Sequence, residues 1–209
     1  HDALPILSLD NLDEVKAELE DVIKAAERML ANNWEFFKDA VGAYDFNRIV
    51  YLGANCLKGI AQESQLKILE LTAGRVATMY DSPMGFRHGP KSIINDDTLT
   101  IVYLSDDPYT RQYEVDLIKE MSPQRKGNKL MAIMNKRDEE VAGLVDYAFS
   151  FDLDNEHENA FLGFDYIVAA QVLALFKSLS YDITPDNPCP TGEVNRVVKG
   201  VILHPYTKR

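Results

Sequence analysis

Apolar residues recur at Leu12, Val15, Leu19, Val22, Ala26, Met29 and Leu30, a spacing of three and four that predicts an amphipathic helix N-capped by Asp10 or Asn11. Asn32-Asn33 is expected to break it, and Trp34, Phe36 and Phe37 to restart an apolar face. The pattern then changes. Short runs without polar alternation, at 48–53, 75–80, 98–104, 129–134 and 147–151, read as strands, with helical stretches near 57–73, 86–94, 108–121, 137–144 and 158–180 between them. Strands that are apolar on both faces and separated by helices imply a parallel sheet covered on both sides. The expected fold is therefore α/β, a five-stranded parallel sheet behind a helical lead-in. Ligands on such sheets bind outside the carboxyl ends of the strands.

Composition narrows the function. At 209 residues and 46% hydrophobic content the chain can bury a sizeable core. A formal net charge of -11 and a pI near 4.8 argue against general nucleic-acid binding and against an anionic membrane surface. Cys56 and Cys189 form neither a disulfide framework nor a zinc spacing. No run approaches the roughly 20 apolar residues of a membrane span, and no signal-peptide pattern is seen. A cytoplasmic location is the expectation.

Candidate chemistry concentrates between Arg48 and Lys91. The apolar helix 57–73, expected to be largely buried, carries Glu63, Lys67 and Glu70 at spacings of four and three, hence on one face. Such a stripe is either a solvated ion-pair row contributing about 0.3–0.5 kcal/mol or the wall of a cleft. One strand later His88 stands in Gly85-Phe86-Arg87-His88-Gly89-Pro90-Lys91, a turn that could present an imidazole for proton transfer near neutral pH or merely satisfy it locally. Carboxylates, an amine and an imidazole are the groups that proton-transfer catalysis uses. Phosphate signatures are weak. The segment Gly53–Gly59 is neither GxGxxG nor a P-loop. Asp106 and Asp107 would repel a phosphate, and one of them is expected to cap the helix from 108. His157, among Asp152, Asp154, Glu156 and Glu158, reads as solvated, and no metal site is expected there.

The segments LKGIAQESQLKILELTAG, YDSPMGFRHGPKSIINDDT, SDDPYTRQY and DNPCPTGEVNRVVKG resemble the sugar isomerase (SIS) domain family. More closely, they are similar to the C-terminal half of bacterial galactosamine-6-phosphate deaminase/isomerases, also called tagatose-6-phosphate ketose/aldose isomerases. The resemblance spans roughly residues 48–206 and implies a SIS-type fold with flavodoxin-like layers. By similarity to the isomerase half of glucosamine-6-phosphate synthase, Ala61, Glu63, Lys67 and Glu70 match an A-x-E-x-x-x-K-x-x-E pattern. Glu70 would then be the base moving a proton between C1 and C2, with Glu63 and Lys67 orienting it. His88 would assist ring opening, from a neighbouring subunit. Lys199 in Val198-Lys199-Gly200 matches a tail lysine that reaches the substrate, and Arg87 and Val198 are the implied substrate contacts. The implied reaction converts galactosamine 6-phosphate to tagatose 6-phosphate and ammonia, with no metal or cofactor. The implied partners are a sugar phosphate, an N-terminal SIS half and a homo-oligomer, without nucleic acid or membrane.

In such relatives the phosphate-holding Ser/Thr loops lie in the N-terminal half, so weak activity of this chain alone is expected. His1–Ile6 lacks an initiator Met and reads like a translated sequencing adapter. The expected organisation is thus a non-native leader at 1–6, a helical lead-in at 7–45, and a C-terminal SIS domain at 46–209 with an active-site tail at 184–209. Two other readings stay open: a non-catalytic SIS module that binds a sugar phosphate and regulates, and a structural domain completing an oligomer.

Overall fold

The computed structural model describes residues 12–155, 157, 159–192, 200 and 202–205. The lead-in consists of α1 (Leu12–Arg28), a π-helical turn (Met29–Asn33) and α2 (Glu35–Ala43). The expected break at Asn32-Asn33 is that π turn, whose extra residue per turn shifts the register of the apolar face. Val15, Val22 and Ala25 are buried before it, Met29 at its start, and Phe37, Ala40 and Val41 after it. The N-cap expected at Asp10 or Asn11 lies outside the described residues, as do Val198 and Lys199.

Five strands follow: β1 (Arg48–Leu52), β2 (Ala77–Asp81), β3 (Thr98–Tyr103), β4 (Lys129–Met134) and β5 (Tyr147–Ser150). All pair in parallel, in the order β2-β1-β3-β4-β5. Alternate residues serve the two faces. Ile49, Tyr51, Ile101, Tyr103 and Ile133 pack with α2, α3 (Leu57–Leu71) and α7 (Asn159–Ser180). Val50, Leu52, Val102, Ala132 and Met134 pack with α4 (Pro83–Arg87), α5 (Pro108–Met121) and α6 (Glu139–Leu144). β3 is buried throughout, which is why its sequence shows no polar alternation, whereas edge strand β2 has no fully buried residue.

Three expectations need correction. The helix expected at 86–94 is split into α4 and a 3-10 turn at Pro90–Ile93. Pro83 and the Ser82 cap start α4 early, and Pro90 has no N–H to continue it. α3 is not largely buried: only Leu57, Ala61, Ser64 and Ile68 are, while Leu66 stays 40% exposed. Finally, α7 is long and apolar enough to cross a membrane, but here it is the core helix packed on α1, α2 and α3.

Two close approaches explain glycines. A Cβ on Gly53 would stand 2.3 Å from the Leu57 carbonyl oxygen, so the β1–α3 turn closes only without a side chain. A Cβ on Gly163 would meet Ile60 at 2.9 Å, which sets how closely α7 lies on α3. Tyr103 stacks between Tyr51 (6.1 Å) and Tyr166 (5.4 Å) in the core. Trp34, the only tryptophan, stacks on Phe176 of α7 at 5.5 Å.

Candidate active site

The i, i+4 and i, i+3 spacings place one ammonium between two carboxylates. Lys67 Nζ stands 3.3 Å from Glu63 Oε1 and donates to Glu70 Oε2 at 3.0 Å. The hydrogen bond to Glu70 is the main reason that the Lys67 ammonium is held above the usual lysine range, against a smaller opposing effect of partial burial. The flank on which the stripe lies follows from its neighbours. Lys58 pairs with Asp81 at 2.8 Å and Gln65 donates to Thr78 at 2.7 Å, so that side of α3 faces β2. At 100° per residue the stripe lies on the flank turned away from β2. All three side chains keep solvent access, Glu70 at 49%. The stripe is thus an open flank running toward the amino ends of the strands, not a pocket at their carboxyl ends.

His88 is elsewhere. Phe86 anchors α4 on the α5 side of the sheet, while Leu57, Ala61 and Ile68 hold α3 on the other side. The structure therefore groups Glu63, Lys67 and Glu70 but does not bring His88 to them within one chain. Its turn is firmly held. Ser82 Oγ accepts from Gly85 N–H at 3.1 Å, Arg87 Nε pairs with Glu120 at 2.6 Å, and Lys91 pairs with the same Glu120. These cations, Lys91 first, hold the Glu120 carboxyl below its usual range. Arg87 is thereby engaged in anchoring the turn. The His88 backbone N–H bonds to Gly85 O, while its imidazole is exposed and has no hydrogen bond among the described residues.

At the carboxyl edge of the sheet, the two acids that follow β3 are held by donors of the chain itself. Asp107 caps α5 through Thr110 N–H at 2.7 Å, as expected from sequence, and its hydrogen bonds lower its carboxyl pKa. Asp106 Oδ2 accepts from Asn135 Nδ2 at 2.5 Å and from the His157 N–H at 3.3 Å.

Three polar residues were not anticipated. His157 is not solvated: at 7% exposure it lies between Glu18 and Asp21, each 3.8 Å away, because α1 covers it. Glu114 is buried, and burial pushes its carboxyl up to about 7. Its Oε2 accepts from Ser105 N–H at 2.8 Å, and its Oε1 has no partner among the described residues. Asp165 is buried with neither oxygen hydrogen-bonded among the described residues, and burial likewise pushes it up to about 7, against the opposing charge of Arg28. Periodicity could have flagged both. Glu114 shares the α5 stripe of Leu117, Ile118 and Met121, and Asp165 shares the α7 stripe of Phe161, Leu162 and Tyr166.

A doubly wound parallel sheet that carries a solvent-accessible carboxylate–ammonium–carboxylate row on one flank of α3 defines an α/β domain of the sugar-isomerase type. The SIS domain pattern matches residues 44–176, and the chain belongs to that family. It is 42% identical to the D-galactosamine-6-phosphate deaminase AgaS of Escherichia coli over 189 residues, which is 89% of this chain and 48% of that protein. Among solved structures it is similar to a candidate tagatose-6-phosphate ketose/aldose isomerase from Clostridium novyi, with TM-score 0.89 and 48% identity over 95% of this chain and 51% of that one. A tagatose-6-phosphate ketose/aldose isomerase from Escherichia coli gives TM-score 0.77 and 38% identity over 90% and 47%. The chain spans about half the length of the curated relatives it matches.

Proposed function

We propose that this chain carries the base-bearing half of a sugar-phosphate isomerase/deaminase that converts galactosamine 6-phosphate to tagatose 6-phosphate and ammonia. The observation that carries the reading is the Glu63–Lys67–Glu70 row, one ammonium held by two carboxylates on an uncovered flank. Relatives named for that substrate supply its identity.

Glu70 takes the proton from C2 of the open-chain amino sugar, giving a C1–C2 enolamine. The proton returns to C1, leaving an imine at C2. Water adds to the imine and ammonia departs, so substrate plus water becomes ketose phosphate plus ammonia. Lys67 donates to Glu70 and fixes its direction, and Glu63 holds Lys67. His88 serves ring opening in a neighbouring copy, because its own α3 lies on the other face of the sheet. The phosphate is held by a second SIS half packed on the α3 flank. Arg87 acts by holding the His88 turn. Lys199 and Val198 complete the site from the tail. The assembly is a cytoplasmic homo-oligomer.

The test is deuterium incorporation at C2 of galactosamine 6-phosphate in heavy water. The chain alone should exchange weakly, and adding the N-terminal half of the Escherichia coli relative should restore exchange. In that mixture Glu70→Gln should lower the rate by about 10²–10⁴-fold with the circular dichroism spectrum unchanged. An unaltered rate would remove Glu70 from the chemistry.

A further inference from the structure

The strand order reverses direction at β1, and the crevice there is open. It measures about 240 Å³ and is lined by Asn55 after β1, by Ser82 and Met84 after β2, and by Tyr109, Tyr113 and Glu114 at the start of α5. This is the position at which open α/β sheets take ligands, and it is separate from the Glu63–Lys67–Glu70 row. We propose that this crevice binds a small hydroxylated ligand that carries a protonated amine and no phosphate.

Four observations fix the ligand's chemistry. First, the described residues that line the crevice include no Lys, Arg or His, so nothing there would neutralise a phosphate. The helix N-terminus beside it is already closed by Asp107. Second, the rim is aromatic and exposed. Tyr109 is 68% exposed, Tyr113 and Met84 are also exposed, and the two tyrosines meet edge to face at 5.3 Å with their hydroxyls 2.9 Å apart. Such rings stack on a sugar face and attract a cation. Third, Asn55 and Thr110, bonded to each other at 3.3 Å, and Ser82 offer polar groups that suit hydroxyls. Asn55 is held there in a left-handed conformation, φ 51°. Fourth, fully buried Glu114 lies behind the crevice wall, and its Oε1 has no partner among the described residues. A buried carboxyl oxygen without a partner is costly and is relieved by a donor. An ammonium is the donor that also cancels the charge, and it suits a chain of net charge -11.

The experiment is saturation-transfer NMR and calorimetric titration of the whole chain with D-galactosamine, D-galactose and D-galactose 6-phosphate. For a ligand of this size a dissociation constant of about 1–10 mM is expected for galactosamine. Galactose should bind about fivefold or more weakly, and galactose 6-phosphate should show no competition. Tyr109→Ala, at an exposed position that folding does not need, should weaken galactosamine about tenfold. Glu114→Gln should weaken galactosamine while sparing galactose. Equal binding of the phosphate ester, unchanged binding in Tyr109→Ala, or no binding of galactosamine at all would each overturn the proposal. So would a concentration-dependent dimer abolished by Tyr109→Ala in the absence of sugar binding, which would assign the rim to contact between two copies.

Discussion

Glu114 and Asp165 make stability depend on pH in a direction opposite to that of a paired surface carboxylate. Their folded-state pKa values are raised to about 7 from 4.5 and 3.8, so the fold binds protons that the unfolded chain releases. Their effect is absent at low pH and grows as pH rises from about 4 to 7, where each destabilises by roughly 1–3 kcal/mol. Asp165→Asn should flatten that slope. Urea midpoints at pH 5 and pH 8 should lie closer together in the variant than in the wild type, and an unchanged gap would show that Asp165 does not titrate in this range. The spacing of Glu63, Lys67 and Glu70 was legible because a helix fixes which residues meet. His157 was misread because its acidic sequence neighbours suggested solvent, whereas the element that covers it, α1, lies over a hundred residues away.

At the scale of elements, α3 shows where composition misleads. Its apolar residues suggested burial all round, but one sheet face and one neighbouring helix can cover only one stripe, so Leu66 faces outward. Strand positions were legible from continuous apolar runs, and the Asp107 cap from its place before Pro108. The α4 break was harder to read, because helix periodicity around Phe86 masks the stop that Gly89-Pro90 imposes. The tightest turn gives a direct test. Gly53→Ala would place a carbon against a backbone oxygen that cannot move without unwinding the first turn of α3. It should cost about 2–4 kcal/mol, measured by urea denaturation. A cost below about 0.5 kcal/mol would mean that the turn relaxes freely.

For the whole molecule, parallel pairing and the layers follow from alternating strands and helices, which is why the fold class was legible without coordinates, whereas the order β2-β1-β3-β4-β5 was not. The site was legible only as far as one element carries it. Which face of the sheet His88 shares, and that the Glu63–Lys67–Glu70 flank is left uncovered, depend on packing between segments that sequence spacing does not encode. The Trp34 stack has a practical consequence for spectroscopy. With one tryptophan in the chain, emission excited at the indole band comes from the junction of the lead-in with α7. Far-ultraviolet dichroism, by contrast, averages over every helix. Because Phe37, Ala40 and Val41 of α2 belong to the main core, the two signals should change together on unfolding. An emission change preceding the loss of dichroism would instead mean that the lead-in detaches as its own unit while the sheet remains folded.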